Sequence, residues 1–192
     1  MNWDYCTYVP MLYESCRITD GPVVELGVGL CSTPLLNALL TFGTAPRELY
    51  SLDDDASWLS LMRSRVSRDH HSFTHITDWV SQIAPFVDLM PSVAFIDHGD
   101  PKSILQSKQL RWDAIAAFEH HAEIIIIHDA SNVLDLRNVG ALSDRFKYTV
   151  LDEHTHPSTA WLSNKYAPDY LMQRSFPCLL QEQISTTERL HS

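Results

Sequence analysis

The chain has 192 residues, 45% of them hydrophobic and 20% charged, a balance that supports one folded domain and excludes a largely disordered polypeptide. Acidic residues outnumber basic ones by 24 to 14, a formal charge of -10, so a broad basic face for nucleic acid is not expected. The longest purely aliphatic run, Ile124 to Ile127, is far short of the roughly 20 residues that cross a bilayer, so no membrane association is expected. The first residues lack a basic stretch followed by an apolar one, so no signal peptide is expected and a cytoplasmic setting follows. Cys6, Cys16, Cys31 and Cys178 form no Cys-x-x-Cys pair and read as buried reduced thiols.

Taken in order, residues 4–18 can form a leading helix, and Pro22 to Leu26 reads as a first strand. Gly27 and Gly29 open a loop, and a helix follows over 32–42, capped by Ser32 or Thr33 with Pro34 in its first turn. Glu48 to Leu52 is a second strand and 56–68 a helix. Phe73 to Thr77 is a weak third strand, with Asp78 placed to cap a helix over 79–88. Val93 to Ile96 and Glu123 to Ile127 are further strands, separated by a long helix over 103–121. This alternation predicts a doubly wound, mostly parallel α/β sheet with helices on both faces. Phe146 to Leu151 and Thr159 to Ser163 are joined by a stretch too short for a crossover helix, so they form an antiparallel pair at the end of the sheet. A single domain is expected over 1–170, with 171–192 as a tail that contacts a partner or frays.

In open α/β sheets, ligands sit beyond the carboxyl ends of the strands. Here every such end carries an acid: Glu25 before Gly27-Val28-Gly29, then Asp53-Asp54-Asp55, Asp78-Trp79, Asp97-His98 and His128-Asp129. The third glycine of a dinucleotide fingerprint is replaced by Ser32, and no Gly-Lys-Ser/Thr of a P-loop is present. A carboxylate at Glu25 would repel a pyrophosphate and attract an ammonium group, directly or through water. That favours a nucleoside with a cationic amino-acid end over a nicotinamide dinucleotide. Asp53, with Asp54 and Asp55 as competitors, can accept hydrogen bonds from ribose hydroxyls. Asp78 can accept from a purine amine and Trp79 can cover the ring, although a Trp at a helix start also serves as plain core.

On Val-Glu25-Leu-Gly27-Val-Gly29, Asp53 and the final antiparallel pair, residues 20–165 resemble the class I S-adenosylmethionine-dependent methyltransferases. Phe95-Ile96-Asp97-His98 and Asp129 followed by Asn132 are similar to the small-molecule, catechol-type O-methyltransferases. The resemblance implies a seven-stranded Rossmann-like sheet, S-adenosyl-L-methionine bound by Glu25, Gly27, Gly29, Ser32, Asp53, Asp54, Asp78, Trp79 and Asp97, and a small polar hydroxylated acceptor. It also implies Mg²⁺ or another divalent cation on Asp97, Asp129 and Asn132. The sequence departs from the pattern where Ala130 directly follows Asp129, and where Gly99-Asp100-Pro101 separate His98 from Lys102. His98 or His128 beside the carboxylates would suit Mn²⁺, Fe²⁺ or Zn²⁺ instead. Without metal, His98 is the first candidate for the catalytic base and Lys102 the second. The competing readings are a nicotinamide-dependent oxidoreductase and a non-catalytic binding module of the same fold. The short chain leaves little inserted sequence for an acceptor lid, so an oligomer is a plausible working form.

Overall fold

The computed structural model describes residues 6–41, 45–66, 69–99, 103–130, 142–152 and 157–168. Lys102, Asn132 and the 171–192 tail, each singled out from sequence, lie outside the described residues.

Strand β1 (Val23–Leu26) lies between β2 (Leu49–Asp53) and β4 (Val93–Ile96), and all three are parallel. β3 (His71–His75) and β5 (Ile124–His128) extend the parallel set on either side. β7 (Thr159–Ser163) inserts antiparallel between β5 and β6 (Tyr148–Asp152), giving the order β3-β2-β1-β4-β5-β7-β6. The expected sheet of five parallel strands followed by a hairpin is therefore present. The order reverses direction between β1 and β4, which is where an open sheet leaves a crevice.

The central strands are buried on both sides because helices cover both faces. In β5, Ile124 and Ile126 enter one core with Met11, Leu12, Leu36 and Phe95, while Ile125 and Ile127 enter the other with Ala114, Ile115 and Phe118. Each such side chain contributes about 1.5–3 kcal/mol on burial. Helices α1 (Val9–Ile18) and α2 (Ser32–Thr41) supply the first face. The second is covered by α5 (Ile104–Phe118), which buries Arg111, Ala114, Ile115 and Phe118 at helical spacing, and by the short α4 (Ala84–Val87). α3 (Ala56–Val66) packs Leu59 and Met62 on Val28 of the glycine loop.

Several local expectations shift: the leading helix begins only at Val9 and the sixth strand at Tyr148. The third strand starts at His71 rather than Phe73, because its residues pair in register with Leu49–Asp53 at the sheet edge, where half-buried polar side chains are tolerated. The helix expected over 79–88 shortens to Ala84–Val87. Asp78 instead caps a turn, accepting from the Val80 amide and from the Ser81 hydroxyl.

Candidate functional site

The loop between β1 and α2 is tethered from several sides. Gly27 has φ 91°, and a Cβ there would lie 2.7 Å from the backbone carbon of Asp97 and the nitrogen of His98. Only glycine permits both this dihedral and this approach of β1 to the end of β4. The Gly27 amide donates to Leu52 O at 2.8 Å, and the Val28 amide to Asp53 Oδ2 at 2.8 Å. Trp58 Nε1 donates to Val28 O at 2.6 Å, and the Gly29 amide donates to the Thr33 hydroxyl at 3.0 Å. That hydroxyl in turn donates to Glu25, 2.9 Å from each carboxylate oxygen, and Ser51 Oγ lies 2.6 Å from Oε2.

Glu25 is fully buried, and burial pushes its carboxyl up to about 7 against the pull of the surrounding Ser32, Ser51 and Thr33 hydroxyls. It therefore acts on the loop through Thr33 rather than by reaching a ligand directly. Ser32 is buried at the start of α2. Asp53 is 8% exposed, and its oxygens accept from the Val28 and Asp55 amides. Burial raises its pKa, opposed by those two N–H groups. Each oxygen keeps a second lone pair for a ribose hydroxyl. Asp54 is exposed and lies 3.3 Å from Trp79 Nε1. Asp78 is exposed, held below its ordinary value first by the Ser81 hydroxyl. Trp79 is 7% exposed and packs at 4.3 Å against the ring of His98, so its large face is already covered.

The ends of β4 and β5 converge. Asp97 Oδ1 is 3.0 Å from His128 Nδ1, and Asp97, His128 and Asp129 offer ligand atoms all within 4.8 Å of one another. Asp129 adopts φ 54°, a left-handed conformation that Asp tolerates better than most residues. Beneath them Arg111, 7% exposed, works as a clip. Its Nε donates to His98 O at 2.7 Å, Nη1 to His128 O at 2.6 Å and Nη2 to Asp97 O at 3.3 Å, with Asp97 Oδ1 at 3.4 Å. The sequence marks Arg111 only as a cation at a core position of an otherwise apolar helix stripe.

His98 is a poor base as placed. It is 2% exposed, and burial, followed by the charge of Arg111, pushes its pKa down to about 3. His128, at 4% exposed, is buried as well, but its ring is oriented for that role by Asp97. A carboxylate only accepts, so Nδ1 carries the hydrogen toward Asp97, and Nε2 is left as a buried lone pair with no hydrogen-bond partner among the described residues.

The amino-terminal segment crosses the same rim. Cys6 forms a disulfide with Cys31 of the loop, with Cα atoms 6.2 Å apart. Thr7 Oγ1 donates to Pro157 O at 2.6 Å. Tyr8, 3% exposed, packs on Phe95 and edge-on to His128, with ring centroids 4.8 and 4.7 Å away. Burial first, then the charge of Asp97, raises its phenol. The disulfide corrects the expectation of reduced thiols for this pair. Folding brings two cysteines 25 residues apart into bonding range, which spacing alone does not disclose. Cys16 remains a free buried thiol, which burial pushes up to about 12. The case for a reducing compartment loses its basis in cysteine usage. Among the described residues, no helix is long and apolar enough to cross a membrane.

No family model matches the sequence, and no curated protein matches it. Solved structures match its fold. The human methyltransferase 10 domain containing protein aligns with TM-score 0.56 and 11% identity over 85% of this chain and 84% of its own. An rRNA methylase from Streptococcus thermophilus aligns with TM-score 0.52 and 16% identity, over 82% and 97% of the two chains. TrmK from M. capricolum, solved with S-adenosyl-homocysteine, aligns with TM-score 0.51 and 15% identity, over 86% and 74%. The chain has the Rossmann-like methyltransferase fold.

On this methyltransferase fold, the β1–α2 loop, Asp53 and Asp54 lie toward one side of the rim, and Asp97, His128 and Asp129 toward the other. The second cluster suits a divalent cation in donor type, two carboxylates and an imidazole. Cis ligands about 2.1 Å from a metal stand about 3 Å apart, so the Asp97–His128 separation fits either a hydrogen bond or a pair of ligands. Arg111 opposes such a cation, because its charge offsets one of the two carboxylates.

Proposed function

We propose that the chain is an S-adenosylmethionine-dependent methyltransferase that acts on a hydroxyl of a small polar acceptor. The observation that carries this reading is the convergence, on one rim of a methyltransferase-fold sheet, of the tethered β1–α2 loop with the Asp97–His128–Asp129 cluster. The cofactor supplies a methyl group on a sulfonium, with its adenosine end toward Asp53 and Asp54 and its amino-acid end toward the β1–α2 loop. In-line transfer needs sulfur, methyl and acceptor oxygen in a row, so the acceptor hydroxyl lies against His128. As the carbon–oxygen bond forms, the hydroxyl proton passes to His128 Nε2, and Asp97 stabilises the imidazolium. Arg111 holds both strand ends at the spacing this pair requires. Where a divalent cation is bound, Asp97 and Asp129 would hold it with His128, and it would lower the acceptor's pKa.

The net charge of -10 favours an uncharged or cationic acceptor over a polyanion, although the neighbours include an rRNA methylase. A second reading, a binding module without chemistry, draws on the burial of His98, Tyr8 and His128, whose Nε2 an acceptor reaches only once the closely packed rim opens. Thermal shift with S-adenosylhomocysteine and, separately, NAD tests the cofactor. A rise with the first alone supports the proposal, and a rise with NAD alone rejects it in favour of an oxidoreductase. Transfer of labelled methyl to polyhydroxylated small molecules, with and without EDTA, then tests activity and metal. Cofactor binding with no transfer to any acceptor, RNA included, would favour the module.

A further inference from the structure

A chain of hydrogen bonds runs from Glu25 away from the rim to the amino end of β3. Ser51 Oγ lies 2.6 Å from Glu25 Oε2 and 2.9 Å from His71 Nε2, and His71 Nδ1 lies 3.0 Å from Asn37 Oδ1. Glu25 and Ser51 are fully buried and Asn37 is nearly so. The protons in this chain can be counted. The Asn37 oxygen only accepts, so His71 Nδ1 carries a hydrogen. Ser51 has one proton for two neighbours. If it donates to a neutral His71, the contact to Glu25 needs a proton on the carboxyl. If it donates to an ionised Glu25, His71 must be an imidazolium that donates to Ser51. Both arrangements satisfy every contact, and each places one shared proton on the pair.

We propose that Glu25, Ser51 and His71 form a one-proton relay that lets the buried acid become charged when a cationic group docks at the glycine loop. This rests on the cofactor reading above, whose ammonium end is the cation. The proton leaves Glu25 Oε2 for Ser51 Oγ, and the Ser51 hydroxyl proton moves to His71 Nε2. Glu25 becomes a carboxylate and His71 an imidazolium, with no proton exchanged with solvent. Without a cation, burial holds Glu25 near 7 and His71 near 4, which keeps both neutral in slightly acidic solution.

The surroundings suit each end. Glu25 faces Ser32 and Thr33 of α2 and Ser51 of β2, and it feels Asp97 through its charge. His71 stacks on Phe73 at 4.0 Å. It also lines a cavity of about 270 Å³ with Asn37, Arg47, Asp69 and His70, and a hydrogen bond with the Val66 backbone favours its imidazolium. The effect returns to the loop through Thr33, which links Glu25 to the Gly29 amide. His71 is thus a positioning residue that acts through Ser51.

The test is calorimetry of S-adenosylhomocysteine binding at about pH 6.5 in two buffers of different ionisation heat, with nitrogen NMR of the His71 ring. The relay predicts equal heats in both buffers and conversion of His71 from neutral imidazole to imidazolium on binding. In His71→Phe the Glu25 proton has no internal acceptor, so about one proton per ligand is released and the heats diverge. Wild-type binding with His71 still neutral overturns the relay, as does a folded His71→Phe protein with buffer-independent heats. If that variant does not fold, the wild-type ring signal decides alone. Absence of any binding heat overturns the cofactor reading itself and takes the cationic trigger with it.

Discussion

Glu25→Gln should make the protein more stable and bind its cofactor less well, with a pH dependence set by one buried carboxyl. The folded value of about 7 exceeds the ordinary 4.5 because the group is fully buried. Between those values the native state holds more protons than the unfolded chain, so the contribution of Glu25 is full below 4.5 and is lost as pH rises through 7. At about 1.4 kcal/mol for each pH unit, the loss is about 3 kcal/mol at pH 8 and under about 1 kcal/mol at pH 5. Glutamine matches the protonated acid in shape and hydrogen bonding, since the Thr33 and Ser51 hydroxyls can turn to accept from its amide. The variant should therefore resemble wild type near pH 5. At pH 8 it should be more stable by up to about 3 kcal/mol, or roughly 5–10 °C in Tm for a chain of this size. Urea melts at the two pH values measure this directly. An equal midpoint difference at both pH values, or a less stable variant at pH 8, would refute a buried carboxyl that is forced to ionise. Weaker S-adenosylhomocysteine binding by the stabilised variant would mark the acid as kept for ligand charge at the expense of stability.

Gly27→Ala should cost about 2–4 kcal/mol in urea melts, because φ 91° and a 2.7 Å approach to the β4 end leave no room for a methyl; a cost below 1 kcal/mol would contradict that packing. Arg111→Met leaves the carbonyls of Asp97, His98 and His128 without their shared donor and should cost about 3 kcal/mol, with partial recovery in Arg111→Lys. Equal loss in both variants would show that the fork geometry is immaterial. Reduction of Cys6–Cys31 should lower stability by about 3 kcal/mol, read as a reductant-dependent urea midpoint that Cys6→Ser no longer shows. His98 binds protons more readily when unfolded, so its contribution is present above pH 6.5 and lost as pH falls toward 3. His98→Phe should therefore flatten the acid limb of the stability profile, and an unchanged limb would mean that His98 is solvated.

Much of the fold is legible in the residue pattern. Val93–Ile96 is a strand because four consecutive apolar residues suit a position covered on both faces, and the short link before Thr159 leaves an antiparallel return as the only geometry. The acids at the strand ends are equally visible, because the end of a strand is a local property of the chain. What each acid can do is not local. Glu25 looks like a free anion and is a buried, hydroxyl-bound group near neutrality; His98 looks like a base and is packed on Trp79; Asp53 is occupied by two amides of its own fold. Arg111, His71 and the Cys6–Cys31 link matter through partners 13 to 34 residues away, and no periodicity announces them. Periodicity reports which face a residue presents, and so the sheet and its rim could be read from the chain alone. Charge state and pairing depend on burial and on distant neighbours, and those exist only after the strands have packed.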